Sequence, residues 1–197
     1  MKFAISASAL ATLALAVSST SAAPAPEFAQ LSARQTPEPD CRGAAHGEGI
    51  YHNVFDTACV NLIETCRNDL TTANSTDVWS FKRCVAAATC QGTHWLIETL
   101  ECETGDSIPL TGQNSLDYNI YAGIVGDCAW QEGGCPMTQQ NYIDFIFGTL
   151  SEINTNTWPD VNNVINNWWS SIKTWTATGE TVPYLNFNDW LRFSNSQ

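Results

Sequence analysis

Positive charge is scarce in this 197-residue chain: 8 Lys and Arg stand against 20 Asp and Glu, a formal net charge of −12. Binding to nucleic acid or to anionic lipid depends on neutralising phosphate with cations, so both partner classes are excluded on charge. Neutral or cationic partners remain. After the first twenty residues no stretch approaches about 18 consecutive apolar residues, and no membrane span is expected. There is no C-x-x-C pair, which removes zinc ribbons and thioredoxin-like redox sites. H-E-x-x-H, P-loop and G-x-S-x-G patterns are missing too, so no metal or cofactor is expected. No segment alternates apolar and polar residues as a half-buried strand would.

What is present begins with Met1-Lys2, the apolar run FAISASALATLALAV and the small residues SSTSAAPAP. This is the layout of a secretory signal peptide, residues 1–22, cut near Ala22 or Ala23. Residues 23–40, rich in Pro, Ala and polar side chains, read as a pro-segment or flexible linker. Within them Leu31-Ser32-Ala33-Arg34-Gln35 is similar to the single-basic processing sites of many secreted fungal proteins. Residues 41–197 are long enough for one domain with a core.

That domain carries eight cysteines, Cys41, Cys59, Cys66, Cys84, Cys90, Cys102, Cys128 and Cys135. An even number behind a signal peptide predicts four disulfides. In FDTACVNLIETCRNDL the apolar positions Phe55, Cys59, Leu62, Ile63, Cys66 and Leu70 follow helical spacing, with Asp56 at the start. Cys59 and Cys66 on one helix are then about 10 Å apart, too far to bond. A second helix from about Asp77 to Cys90, returning antiparallel, sets Cys66 against Cys84 and Cys59 against Cys90. Cys128 and Cys135 close the short loop CAWQEGGC, which leaves Cys41 for Cys102.

Further helices are read from Thr93 onward, in SLDYNIYAGIV, in TQQNYIDFIFGTLSEI with Thr138 as N-cap, and in NDWLRF. The longest opens at Thr157-Trp158-Pro159-Asp160 and ends before Gly179. The expected fold is all-α, a disulfide-stapled bundle of about six helices. In VNNVINNWWSSIKTW, at about 100° per residue from Val161, Trp168 and Trp175 fall near −20° and −40° beside Ile165, Ile172 and Val164. Both are expected in the core. Trp169, near +80°, sits on the rim as a candidate contact, while Asn163, Asn166, Asn167, Ser170 and Thr174 form a solvated face.

Candidate chemistry is sparse. Gly105-Asp106-Ser107-Ile108 resembles the nucleophile block of GDSL-type esterases, but that family places a histidine downstream of its serine, and His46, His52 and His94 all lie upstream. It reads as a turn. His46, Glu48 and His52 are metal-ligand types close in sequence, in a glycine-containing arm. Glu98 and Glu101 share a face of the third helix with His94; a paired-carboxylate glycoside hydrolase would use them with Asp117, Asp127 or Glu132. Asn74-Ser75-Thr76 is an N-glycosylation sequon.

The layout as a whole, signal, short pro-segment and helical cysteine-rich domain, resembles the broad class of cysteine-rich small secreted fungal proteins. The expectation is a secreted, extracellular binding or interaction protein that recognises a glycan or an extracellular protein. Its expected contacts are Trp169, Trp130, Tyr118 and Tyr121, because aromatic faces pack on the apolar side of sugar rings. The alternative is a small hydrolase of cell-wall polysaccharide with Glu98 and Glu101 as its acids.

Overall fold

The computed structural model describes residues 41–109 and 112–195. The proposed signal peptide and pro-segment lie outside the described residues. Among those described are eight helices, four disulfides and one two-stranded hairpin. The expected helical class holds, with more helices than the expected six and a small sheet that the sequence reading omitted.

Helix α1 (Cys41–Gly47) leads into a hairpin of β1 (Ile50–Tyr51) and β2 (Val54–Phe55), paired Ile50 with Phe55 and Tyr51 with Val54. Gly49 enters it at φ +73°, where an added Cβ would meet the Val60 side chain at 2.6 Å, so only glycine fits. Two-residue strands are too short to show alternation. Helix α2 (Thr57–Ala73) follows, capped as expected by Asp56, whose carboxylate accepts from the Ala58 N–H at 2.9 Å. Asn74 ends it in the left-handed conformation.

A 3₁₀ turn (Val78–Ser80) precedes α3 (Lys82–Gln91), which therefore begins five residues later than Asp77. Every residue of α3 from Cys84 to Gln91 is buried. The run Ala86-Ala87-Ala88 explains how: methyl side chains let α2, α6, α4 (Thr93–Thr104) and β1 close around one short helix. The sulfurs follow the helical geometry. Cys59–Cys90 and Cys66–Cys84 rivet α2 to α3 with Cα atoms 5.8 and 4.6 Å apart, and Cys41–Cys102 fastens α1 to α4 at 5.4 Å. Cys128–Cys135 closes the loop behind α5 (Tyr118–Val125), around the 3₁₀ turn Asp127–Trp130.

The remaining chain has no cysteine and is held by rings. Helix α6 (Gln139–Glu152) starts in a capping box between Thr138 and Asn141. Helix α7 is continuous through Val161–Asn163, Val164–Trp169 and Ser170–Thr176, and α8 spans Tyr184–Phe193. The N-cap of α7 is Asp160, and the Thr157 hydroxyl accepts from the Asn61 amide at 2.7 Å. Stacked pairs Tyr142–Trp169, Phe147–Trp158 and Phe187–Trp190 line this half, and a bridge between Met137 and Val182 ties the entrances of α6 and α8. No described helix is long and apolar enough to cross a membrane.

Candidate functional site

The middle of α7, Val164–Trp169, is a π-helical turn, in which the Ser170 N–H reaches back to the Ile165 carbonyl five residues earlier. Such a turn holds one extra residue, so everything after it lags by about one residue's rotation, ~100°. The lag carries Trp169 from the rim into the core and Trp175 from the core out to solvent. Trp169 is 0% exposed, stacked on Tyr142 with ring centroids 5.2 Å apart, whereas Trp175 is 44% exposed. Both expectations for these tryptophans are therefore corrected. Trp168, inside the turn, is buried as expected.

The asparagine side of α7 is the floor of an open groove of about 720 Å³. Asn166, Asn167, Ser170, Ser171 and Thr174 line it from α7, with Trp175 at the same helix's end. His52, at the hairpin tip, and Phe193 and Asn195, at and just beyond the end of α8, complete the lining. Among the described residues no Asp, Glu, Lys or Arg lines the groove, in a chain with 20 acidic residues. Phe193 is 55% exposed, and the Arg192 guanidinium rests 4.9 Å from its ring centroid.

Several of these groups are held in place from behind. The Asn167 side-chain amide donates to the Asn163 side-chain oxygen (Oδ1) at 2.6 Å, and the Asn163 amide in turn donates to the Asp56 carboxylate at 3.2 Å, which fixes one amide of the floor to the foot of α2. Ser171 shares a 2.5 Å hydrogen bond with the hydroxyl of buried Tyr51. The amides and hydroxyls of the floor can both donate and accept, the pairing that a sugar's hydroxyls require. The rings of Trp175 and Phe193 supply apolar faces of the kind that pack on pyranose C–H groups.

The other expected contacts form a separate cluster. Trp130, 64% exposed, meets the edge of Tyr118 at 5.1 Å, and Tyr118 in turn contacts Tyr184 at 4.9 Å. Tyr118 donates to the Ala129 carbonyl at 2.7 Å. Tyr121 is only 2% exposed; its hydroxyl sits against the Cys135 and Val182 carbonyls at 3.2 and 3.0 Å and accepts from the Met137 N–H at 3.1 Å. Burial pushes its phenol up to about 12. As a ligand contact Tyr121 is corrected: it is a buried clamp between loops.

Glu98 pairs with His94 at 3.0 Å along α4, and Glu101 accepts from the Ile108 N–H at 2.7 Å, pinning the chain that follows that helix. Neither carboxylate lines the groove. Gly105 caps α4 in the left-handed conformation, as the turn reading requires. Among the described residues no group of three or more His, Cys, Asp or Glu is placed to hold a metal ion, and His52 belongs to the groove instead.

The sequence reading missed the groove because it treated the asparagines as a solvated face. One signal was available: asparagine is a poor helix former, and here three of them, Asn163, Asn166 and Asn167, crowd one side of two turns. Compared with family models, with curated proteins and with solved structures, the chain matches none of them.

Proposed function

We propose that this is a secreted binding protein of the cysteine-rich small fungal kind, which recognises a neutral glycan in the groove on α7. The observation that carries the reading is the groove's lining: amides and hydroxyls from one helix face, flanked by two exposed rings and free of charged side chains. A cationic or anionic ligand would want a compensating charge there. A neutral saccharide wants donors, acceptors and an apolar face.

The four disulfides point to an oxidising compartment and suit a protein that works outside the cell. Asn74, exposed at the end of α2, is open to glycosylation there. The hydrolase reading has less support, since Glu98 and Glu101 are engaged within the fold and lie off the groove.

The test is co-sedimentation of the protein with insoluble chitin, β-glucan and cellulose. At least one should retain it, and Trp175→Ala and Asn167→Ala should each weaken retention at least about tenfold, the equivalent of ~1.4 kcal/mol. Undiminished retention in both variants removes the groove reading. Release of reducing ends that Glu98→Gln or Glu101→Gln abolishes would establish the hydrolase instead.

A further inference from the structure

The β1–β2 hairpin turns through two residues, His52 and Asn53, both with positive φ (+48° and +64°). A two-residue turn of this hand favours Asn, Asp or Gly at both positions, since a branch-free or short polar side chain tolerates the left-handed region. Asn53 obeys that preference. Histidine is, with Asn and Asp, among the non-glycine residues that the left-handed region accommodates most often, so His52 also suits the turn.

His52 gains little packing. It is exposed, and its ring meets Tyr51 edge-on at 4.2 Å while lining the groove. The hairpin beneath it is held firmly. The buried Gln91 amide accepts from the Gly49 N–H at 2.7 Å and donates to the Gly47 carbonyl at 3.1 Å, and the Asp56 N–H bonds the Gly49 carbonyl at 2.8 Å. The tip therefore projects an imidazole over the groove from a fixed base. From the same strand Tyr51 reaches under the floor to Ser171.

Resting on the glycan reading above, we propose that the hairpin tip is the selective lip of the groove: His52 contacts the bound sugar, and Tyr51 is a positioning residue that orients the Ser171 hydroxyl toward it. The imidazole offers two ring nitrogens to sugar hydroxyls, and Ser171 adds a hydroxyl whose direction Tyr51 sets. A ligand that engages both spans the groove from lip to floor. Because His52 is exposed and lines the groove, its replacement by a residue that also suits the turn should leave stability in place while affinity falls.

The experiment measures thermal unfolding and calorimetric binding of chitohexaose, cellohexaose and laminarihexaose for the wild type, His52→Gly, His52→Asn, Tyr51→Phe and Ser171→Ala. Both His52 variants should match or exceed the wild type in melting temperature while binding the preferred hexasaccharide at least about fivefold more weakly. Tyr51→Phe should weaken binding in the wild type and have no further effect in a Ser171→Ala background, which a general loss of packing would not produce. The inference is overturned if the His52 variants bind like the wild type, or if they lose melting temperature along with affinity. Should Trp175→Ala abolish binding while the His52 variants retain it, the lip fails and the groove stands. Should the wild type bind none of the three sugars, the groove reading itself fails and takes the lip with it.

Discussion

Trp169 and Tyr142 lie with their rings 26° from parallel and 5.2 Å apart, sealed between α7 and α6. That contact exists because of the π-turn, which rotates Trp169 inward and turns Trp175, six residues on, toward the groove. Trp169→Ala should therefore destabilise the protein by about 3–5 kcal/mol, as expected for a large buried ring. Trp175→Ala should change stability by less than ~1 kcal/mol and affect ligand binding instead. Urea unfolding of the two variants checks this, and equal losses would contradict it.

The disulfides should differ in what they contribute. Closing the 31-residue span between Cys59 and Cys90 restricts the unfolded chain by about 3.7 kcal/mol on the loop-entropy scale, against ~2.4 kcal/mol for the span of 7 between Cys128 and Cys135. Paired Cys→Ala replacements at each bridge, compared by chemical denaturation, should show that order. The first pair is also fully buried, so its removal leaves a packing defect that widens the difference.

Glu48 should respond to pH in a direction opposite to most carboxylates. Burial, then the nearby Glu103 and Glu64 charges, raise its pKa, with Arg67 opposing. The folded state thus holds the proton more tightly than the unfolded state, and the stability associated with it is complete below the ordinary carboxylate value and lost as pH rises through the raised one. Glu48→Gln should raise the melting temperature at pH 7. The gain should shrink and vanish on acidification below the ordinary glutamate range, and a variant less stable at pH 7 would refute the sign.

Gln91 is the anchor of the hairpin. Gln91→Leu leaves the Gly49 N–H and the Gly47 carbonyl without their partner, which should lower stability by ~1–3 kcal/mol. Amide hydrogen exchange at Gly49 should accelerate in the variant, and unchanged protection there would show that the hairpin is held by something else.

How much of this was written in the sequence depends on the length of the element concerned. Helix α2 announced itself because its seventeen residues repeat the apolar spacing several times, and the separation of Cys59 from Cys66 on that helix directed both sulfurs to a neighbour. The hairpin had no such repeat: four paired residues give no pattern to read, and its turn residues His and Asn carry only half of the usual signal. The π-turn was invisible to a fixed rotation of about 100° per residue, which set Trp169 on the rim and Trp175 in the core, whereas Ile172 and Thr174 kept their expected sides. The residues that α7 lends to the groove lay on the expected polar face; His52, Phe193 and Asn195 join them from distant stretches, a meeting that no local spacing shows.

The most direct test observes the indole N–H signals of the eight tryptophans by NMR during titration with chitohexaose, cellohexaose and laminarihexaose, the Trp175 signal being assigned from its loss in Trp175→Phe. Glycan binding in the groove predicts that one of these sugars shifts Trp175, together with the side-chain amides of Asn166 and Asn167, and leaves the signal of Trp130 in place. A titration that moves Trp130 alone, or moves no indole at all, would contradict it.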